Sequence, residues 1–165
     1  MATRWNVKRE YVTEKNYRYH EAGRIWLVKA LRFTKLPDGA LGLSQAEINR
    51  VHRAIANEVC GDERSLTGEE FEFLCAVAAV TFTEVAGVVH IDRSTLTKWR
   101  DAGKPMPVLR SLFLKRWFWF KLFGEGVAEQ SVPLRALQDD VEFLRIAHDT
   151  AIRENLTESI LRAVA

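Results

Sequence analysis

Apolar positions along this chain follow a helical period over most of its length and a strand-like alternation only near its start. Ile48, Val51, Ile55 and Val59 step by 3, 4 and 4 residues, which places them on one helical face. Ser44 and Glu47 precede them in the Ser/Thr-x-x-Glu arrangement of a reciprocally capped helix start, and Gly61 is positioned to close the helix. The same start recurs at Thr67/Glu70 and Thr81/Glu84, predicting helices over residues 67–79 and 81–89. Asp92 is an N-cap for a fourth helix ending near Ala102 and Gly103. Pro105 and Pro107 then break the chain before a helix over residues 108–123, and Pro133 opens a long helix to about residue 153, followed by a short one from Thr157. Near the start, residues 17–19 and 25–28 read as two short strands around His20-Glu21-Ala22-Gly23, and Leu36-Pro37-Asp38-Gly39 reads as a turn. The expected fold class is therefore mainly α. It comprises a small hairpin-containing α+β segment (residues 1–61), a central helical bundle (62–125) and C-terminal helices (126–165).

With 165 residues, 47% hydrophobic and 28% charged, the chain has ordinary globular composition, which excludes a wholly disordered or collagenous protein. The net charge of +2 conceals an uneven distribution. Residues 1–36 hold nine Lys/Arg against three acids, residues 62–92 one against seven, and residues 93–121 eight against one. Cys60 and Cys75 form no C-x-x-C unit, so neither a disulfide framework nor a thiolate zinc site is expected, and the reading is of a reducing cytoplasm. The apolar window 73–91 is interrupted by Glu84 and His90 and reads as buried core rather than a membrane span. Residues 1–10 lack the apolar stretch of a secretory signal.

The informative stretch is residues 80–107. Two short helices flank a turn at His90-Ile91, with small Ala86 where the helices must approach and Val85, Val89, Ile91, Leu96 and Trp99 at core spacing. This is helix-turn-helix spacing, in which the second helix enters the major groove. Leu66-Thr67-Gly68-Glu69-Glu70-Phe71, the two-helix unit, Trp99, and Gly103-Lys104-Pro105 together resemble the XRE-type helix-turn-helix family, and within it the MqsA/YgiT-type antitoxins. Tyr17, Tyr19, Glu21 and Gly23 look like the N-terminal part of those antitoxins. The resemblance implies a metal-free variant, because the first cysteine is Cys60, and it carries the base-reading pair over to Ser94 and Lys98. Phe82 replaces the family's usual DNA-touching Gln, and His90 replaces the usual turn Gly.

The residues themselves lead to the same helix. Ser94 and Lys98 lie one turn apart, about 6 Å along the axis, and Arg and Lys donate to guanine O6/N7 whereas Ser and Thr serve bases or phosphates. The expected DNA contacts are Arg93, Ser94, Thr95, Thr97, Lys98 and Lys104, with Trp99 in the core. Residues 109–123 interleave basic and aromatic residues; a buried or subunit-interface helix with basic side chains at its rim is favoured over a single-strand stacking platform. Leu134, Leu137, Val141 and Leu144 step by 3, 4 and 3, an a/d seam expected to join a homodimer. Paired acids point apart on helices, and the four histidines lack ligand spacing, so no enzyme, cofactor or metal site is expected. The sequence thus predicts a cytoplasmic, sequence-specific repressor of double-stranded DNA, and the resemblance implies a role as the antitoxin of a toxin-antitoxin pair with a cognate toxin as partner. An alternative is an interaction module that neutralises a toxin through residues 1–61 with little specific DNA binding. Metal analysis of the purified protein is expected to find no stoichiometric zinc; a zinc ion whose removal unfolds the chain would contradict that reading.

Overall fold

In the computed structural model of the chain, residues 10–124 are described. The seam residues Leu134, Leu137, Val141 and Leu144 lie outside them, as do the predicted helices from Pro133 onward. The order is β1 (Tyr11–Glu21), β2 (Arg24–Lys35), β3 (Leu41–Leu43), α1 (Gln45–Gly61), α2 (Gly68–Val77), α3 (Phe82–Val89), α4 (Arg93–Asp101) and α5 (Val108–Phe123). The three strands form one antiparallel sheet in the order β1-β2-β3. This corrects the expected mainly α class: the described residues make an α+β fold, with a sheet far larger than a small hairpin.

The reason the sheet was underestimated lies in its side chains. Tyr19 pairs with Trp26 and Tyr17 with Val28, so the inward residues of β2 are Trp26 and Val28 at one end. Beyond Lys29 and Ala30, both exposed, the inward residues become Leu31 and Phe33. The alternation changes phase at that point, opposite Asn16, whose φ of 54° is left-handed, while the pairing register continues unbroken on either side. A period-two pattern that changes phase halfway reads as two fragments, or as none. The hairpin closes on Ala22 and Gly23, both with positive φ (53° and 69°), the conformation of a two-residue type I′ turn.

Two of the three anticipated capping boxes close completely. Thr67 with Glu70 and Thr81 with Glu84 each satisfy the start of their helix in both directions. At α1 only half forms: Ser44 accepts from the Glu47 amide at 3.2 Å, but the Glu47 carboxylate accepts instead from the Arg32 amide at 3.0 Å and from Arg50, tying α1 to β2. Gly61 is the last residue of α1, and Asp62 is its C-cap.

Buried side chains from β2 and all five helices belong to one core that includes Trp26, Leu31, Ile55, Phe71, Val85, Leu96 and Phe118. At its edge is a polar junction. Glu70, 1% exposed, is ion-paired with Arg24 of β2, and Arg24 also donates to Asp62 at 3.2 Å. Lys115 of α5 is buried and donates to the carbonyls of Asp62 and Arg64. It therefore does not emerge at a basic rim, as the interleaved sequence suggested. Burial pushes the Asp62 carboxyl up, but hydrogen bonds from Arg64 and Arg24 outweigh it and hold the group well below the usual carboxylate range.

No single described helix is long and apolar enough to cross a membrane. The apolar window falls on α2 and α3, which meet at 107° and contribute Phe71, Phe73, Leu74, Val85 and Ala86 to the core.

Two outcomes follow for stability. Glu70→Ala leaves Arg24 partly buried without its carboxylate and opens the α2 cap, so denaturant titration is expected to show a loss of about 3–5 kcal/mol. Because the folded Asp62 carboxyl lies below its unfolded value of about 3.9, its contribution is present above pH of about 4 and lost as pH falls below it. Acid titration of Asp62→Asn should accordingly show a shallower loss of stability below pH of about 4 than the wild type.

Candidate nucleic-acid interface

The two-helix unit is positioned from α2. Gly68 begins α2 directly against α4: a Cβ at Gly68 would lie 2.1 Å from the Arg100 carbonyl oxygen, so only glycine admits this approach. Phe71 of α2 packs at a tilt against Phe82 of α3, with ring centroids 5.0 Å apart, and the Arg100 guanidinium lies 5.5 Å from the Phe82 ring. Phe82 is therefore half-buried packing between α2, α3 and α4 rather than a group reaching outward. The capped start of α3 is also committed. Hydrogen bonds from the Thr81 amide and hydroxyl hold the exposed Glu84 carboxyl below its ordinary range, leaving a negative charge where an anion would otherwise find open amides.

Between the helices, His90 takes the left-handed conformation (φ 50°, ψ 49°) that caps α3. A non-glycine residue there is uncommon, although His is among the residues that tolerate it best. The Ile91 amide donates to the Ala86 carbonyl at 3.1 Å, completing the bend. Asp92 has the extended geometry of an N-cap, but its side chain makes no capping hydrogen bond, so its carboxylate is exposed at the start of α4.

On α4, Leu96 is fully buried and Trp99 half-buried against the core, with the Arg110 guanidinium 5.4 Å from the Trp99 ring. These two inward positions put Arg93, Ser94 and Lys98 on the exposed side. Thr95 and Thr97 are half-buried, and the Thr97 hydroxyl donates to the Arg93 carbonyl at 3.2 Å. Lys104 is exposed in the loop after Gly103. The structure thus brings Arg93, Ser94 and Lys98 together on one short helical surface, keeps the two threonines closer to the scaffold, and holds Lys104 on the segment that leaves the helix.

The charge of residues 93–121 is less available than its sequence count indicates. Arg100 is paired with Asp101 at 2.7 Å and Lys115 is buried, while Arg110 and Lys121 stay exposed on α5, over the Trp99 and Trp117 rings. Sequence reasoning also passed over Arg110 as a support for Trp99; its spacing from Trp99 crosses two prolines and left no periodic signal.

A second concave feature, an open cleft of about 700 Å³, is lined by the hairpin turn, α1 and α2 and receives nothing from α3 or α4. Its walls carry Glu21, Glu69 and Glu72 alongside His52 and Arg53. His52 Nε2 lies 2.8 Å from the Tyr19 hydroxyl and 3.3 Å from Glu21. Burial, followed by the nearby Glu21 charge, pushes the Tyr19 phenol up. This carboxylate-rich cleft is unsuited to a phosphate backbone. Burial pushes both thiols, Cys60 and Cys75, up to about 12, so neither presents a thiolate near neutrality, and among the described residues no group of three or more His, Cys, Asp or Glu could hold a metal ion.

Comparison of the chain with family models, with curated proteins and with solved structures returns no match.

Proposed function

We propose that the chain is a sequence-specific regulator of double-stranded DNA that represses transcription by occupying a promoter, with α4 as the helix that enters the major groove. One observation carries this reading: on α4, Leu96 and Trp99 face the core while Arg93, Ser94 and Lys98 face outward, after a tight left-handed turn from α3. A helix-turn-helix needs that division, because its second helix must be held rigidly by one face and present its first turns to base edges with the other. Lys98 supplies a donor for guanine O6/N7, Ser94 a hydroxyl able to donate or accept, and Arg93 and Lys104 charges for flanking phosphates. The exposed Asp92 carboxylate at the helix start suits a cytosine N4 donor and penalises a misplaced phosphate. A role as the antitoxin of a toxin-antitoxin pair belongs to the same reading and rests on the family resemblance of residues 66–107.

Selection of bound duplexes from a random pool, followed by titration at two salt concentrations, tests the proposal. Wild-type protein is expected to enrich a defined site. Lys98→Ala should flatten preference at one base position by about 1–3 kcal/mol. Lys104→Ala should weaken all duplexes alike and reduce the salt slope by about one unit. Lys98→Glu should abolish binding while leaving thermal melting unchanged, since the position is exposed. A wild-type chain that enriches no sequence, or Lys98→Glu protein that binds the selected site as tightly as wild type, removes α4 from the reading.

A further inference from the structure

Helix α5 has two apolar sides and the described fold uses one of them. Leu114, Phe118 and Leu122 are buried on one side, and at the end of the helix the Arg53 guanidinium donates to the Leu122 carbonyl at 3.0 Å and covers Phe123, while Trp119 donates to Asn57 at 2.9 Å. That side is fixed on α1. On the other, Leu109 is 82% exposed, Phe113 52% and Phe120 65%, with Leu112 beside them. Leu109, Phe113, Arg116 and Phe120 step by 4, 3 and 4, so they form one straight stripe with a cation in its middle. A contiguous stripe of this kind marks a contact surface.

We infer that this stripe is the docking site for the C-terminal segment of the same chain, residues 125–165, through Leu134, Leu137, Val141 and Leu144, in place of the homodimer contact that their spacing suggested. Three observations select this occupant. The segment carries the matching pattern, an a/d seam spaced 3, 4 and 3. Its charge is complementary: residues 125–165 contain eight acids against four Lys/Arg, whereas α5 contains four Lys/Arg and no acid, and Asp140 adjoins the seam as Arg116 interrupts the stripe. A second copy of α5 would instead set like charges against each other. The segment also begins directly after the Gly124 cap of α5. Residues 125–133 can span up to about 30 Å, more than the length of α5 at about 24 Å, so the seam can fold back along the stripe. The short connector gives an effective concentration on the order of millimolar, which a partner in solution does not reach.

The test uses the full-length chain. Hydroxyl-radical labelling of Phe113 and Phe120 is expected to be several-fold slower in wild type than in Leu137→Glu/Leu144→Glu, with circular dichroism showing that the core is retained in both. A flexible bis-maleimide should join Phe113→Cys and Val141→Cys within one chain; Cys60 and Cys75 compete poorly because burial pushes their thiols up to about 12. Equal labelling of the two aromatics in wild type and the double variant overturns the inference. A covalently linked dimer in place of the intrachain product identifies a second copy as the occupant and also overturns it, as does protection of Phe113 and Phe120 with no intrachain cross-link.

Discussion

The described fold is organised around one buried ion pair, Glu70 with Arg24. Glu70 is a capping residue first: its Oε2 accepts the Thr67 amide at 3.0 Å while Thr67 caps α2 in return. Its other oxygen meets the Arg24 guanidinium beside the hairpin turn. A carboxylate buried this deeply is tolerable only with a paired charge and its remaining lone pairs satisfied. Here the cation comes from the sheet and the donor from the helix start, so the pair forces β2 and α2 together. Arg24 extends the constraint to Asp62 at the end of α1, and Lys115 brings in α5 by donating to the carbonyls of the same loop. The Leu66 amide donates to the Ser111 hydroxyl at 2.7 Å, and the Leu66 carbonyl accepts from the Met106 amide at 2.8 Å. Four elements, β2, α1, α2 and α5, thus converge on residues 62–70, and the buried backbone there is satisfied by groups distant in sequence.

That junction sets the placement of the proposed recognition helix. α2 carries both Glu70 and Gly68, and Gly68 is where α4 touches it. The orientation of α4 is therefore inherited from α2, which is itself fixed to the sheet. Leu96, Phe71 and Phe82 fill the space between α2, α3 and α4. A nine-residue helix is too short to be stable on its own; packing against α2 and α3 supplies what local propensity cannot.

How much of this was legible in the sequence follows from the range of each signal. Helices α1 to α5 were readable because caps and 3.6-residue periodicity are local: Thr67 and Glu70 are three residues apart and announce α2 without any tertiary knowledge. Ser44 and Glu47 make the same pattern, yet Glu47 turned to Arg32, a partner that no local pattern reveals. The sheet was only partly readable, since the inward positions change phase between Val28 and Leu31 and β3 is three residues long. The exposed faces of Ser94 and Lys98 were legible from the inward spacing of Leu96 and Trp99. Lys115 was misread as a rim cation because its partners are carbonyls on a loop about fifty residues away, and backbone acceptors leave no trace in a sequence.

The enclosure of Lys115 changes the electrostatics available for nucleic-acid binding. Counting charge along residues 93–121 suggests a strongly attractive surface, but Lys115 is enclosed and Arg100 is paired with Asp101, and the exposed Arg110, Arg116 and Lys121 lie on α5 rather than on α4. The exposed cations on or just beyond α4 are Arg93, Lys98 and Lys104. If all three neutralise phosphates, counterion release gives a salt slope of only about −3 per chain, and Glu84 and Asp92 subtract from the field nearby. Long-range attraction from this surface is accordingly modest. Discrimination in the proposed complex then falls on short-range hydrogen bonds from Ser94 and Lys98, which act only when α4 is seated in the groove. That places a premium on the rigidity of α4, and so on the Gly68 contact and the buried Glu70 pair behind it.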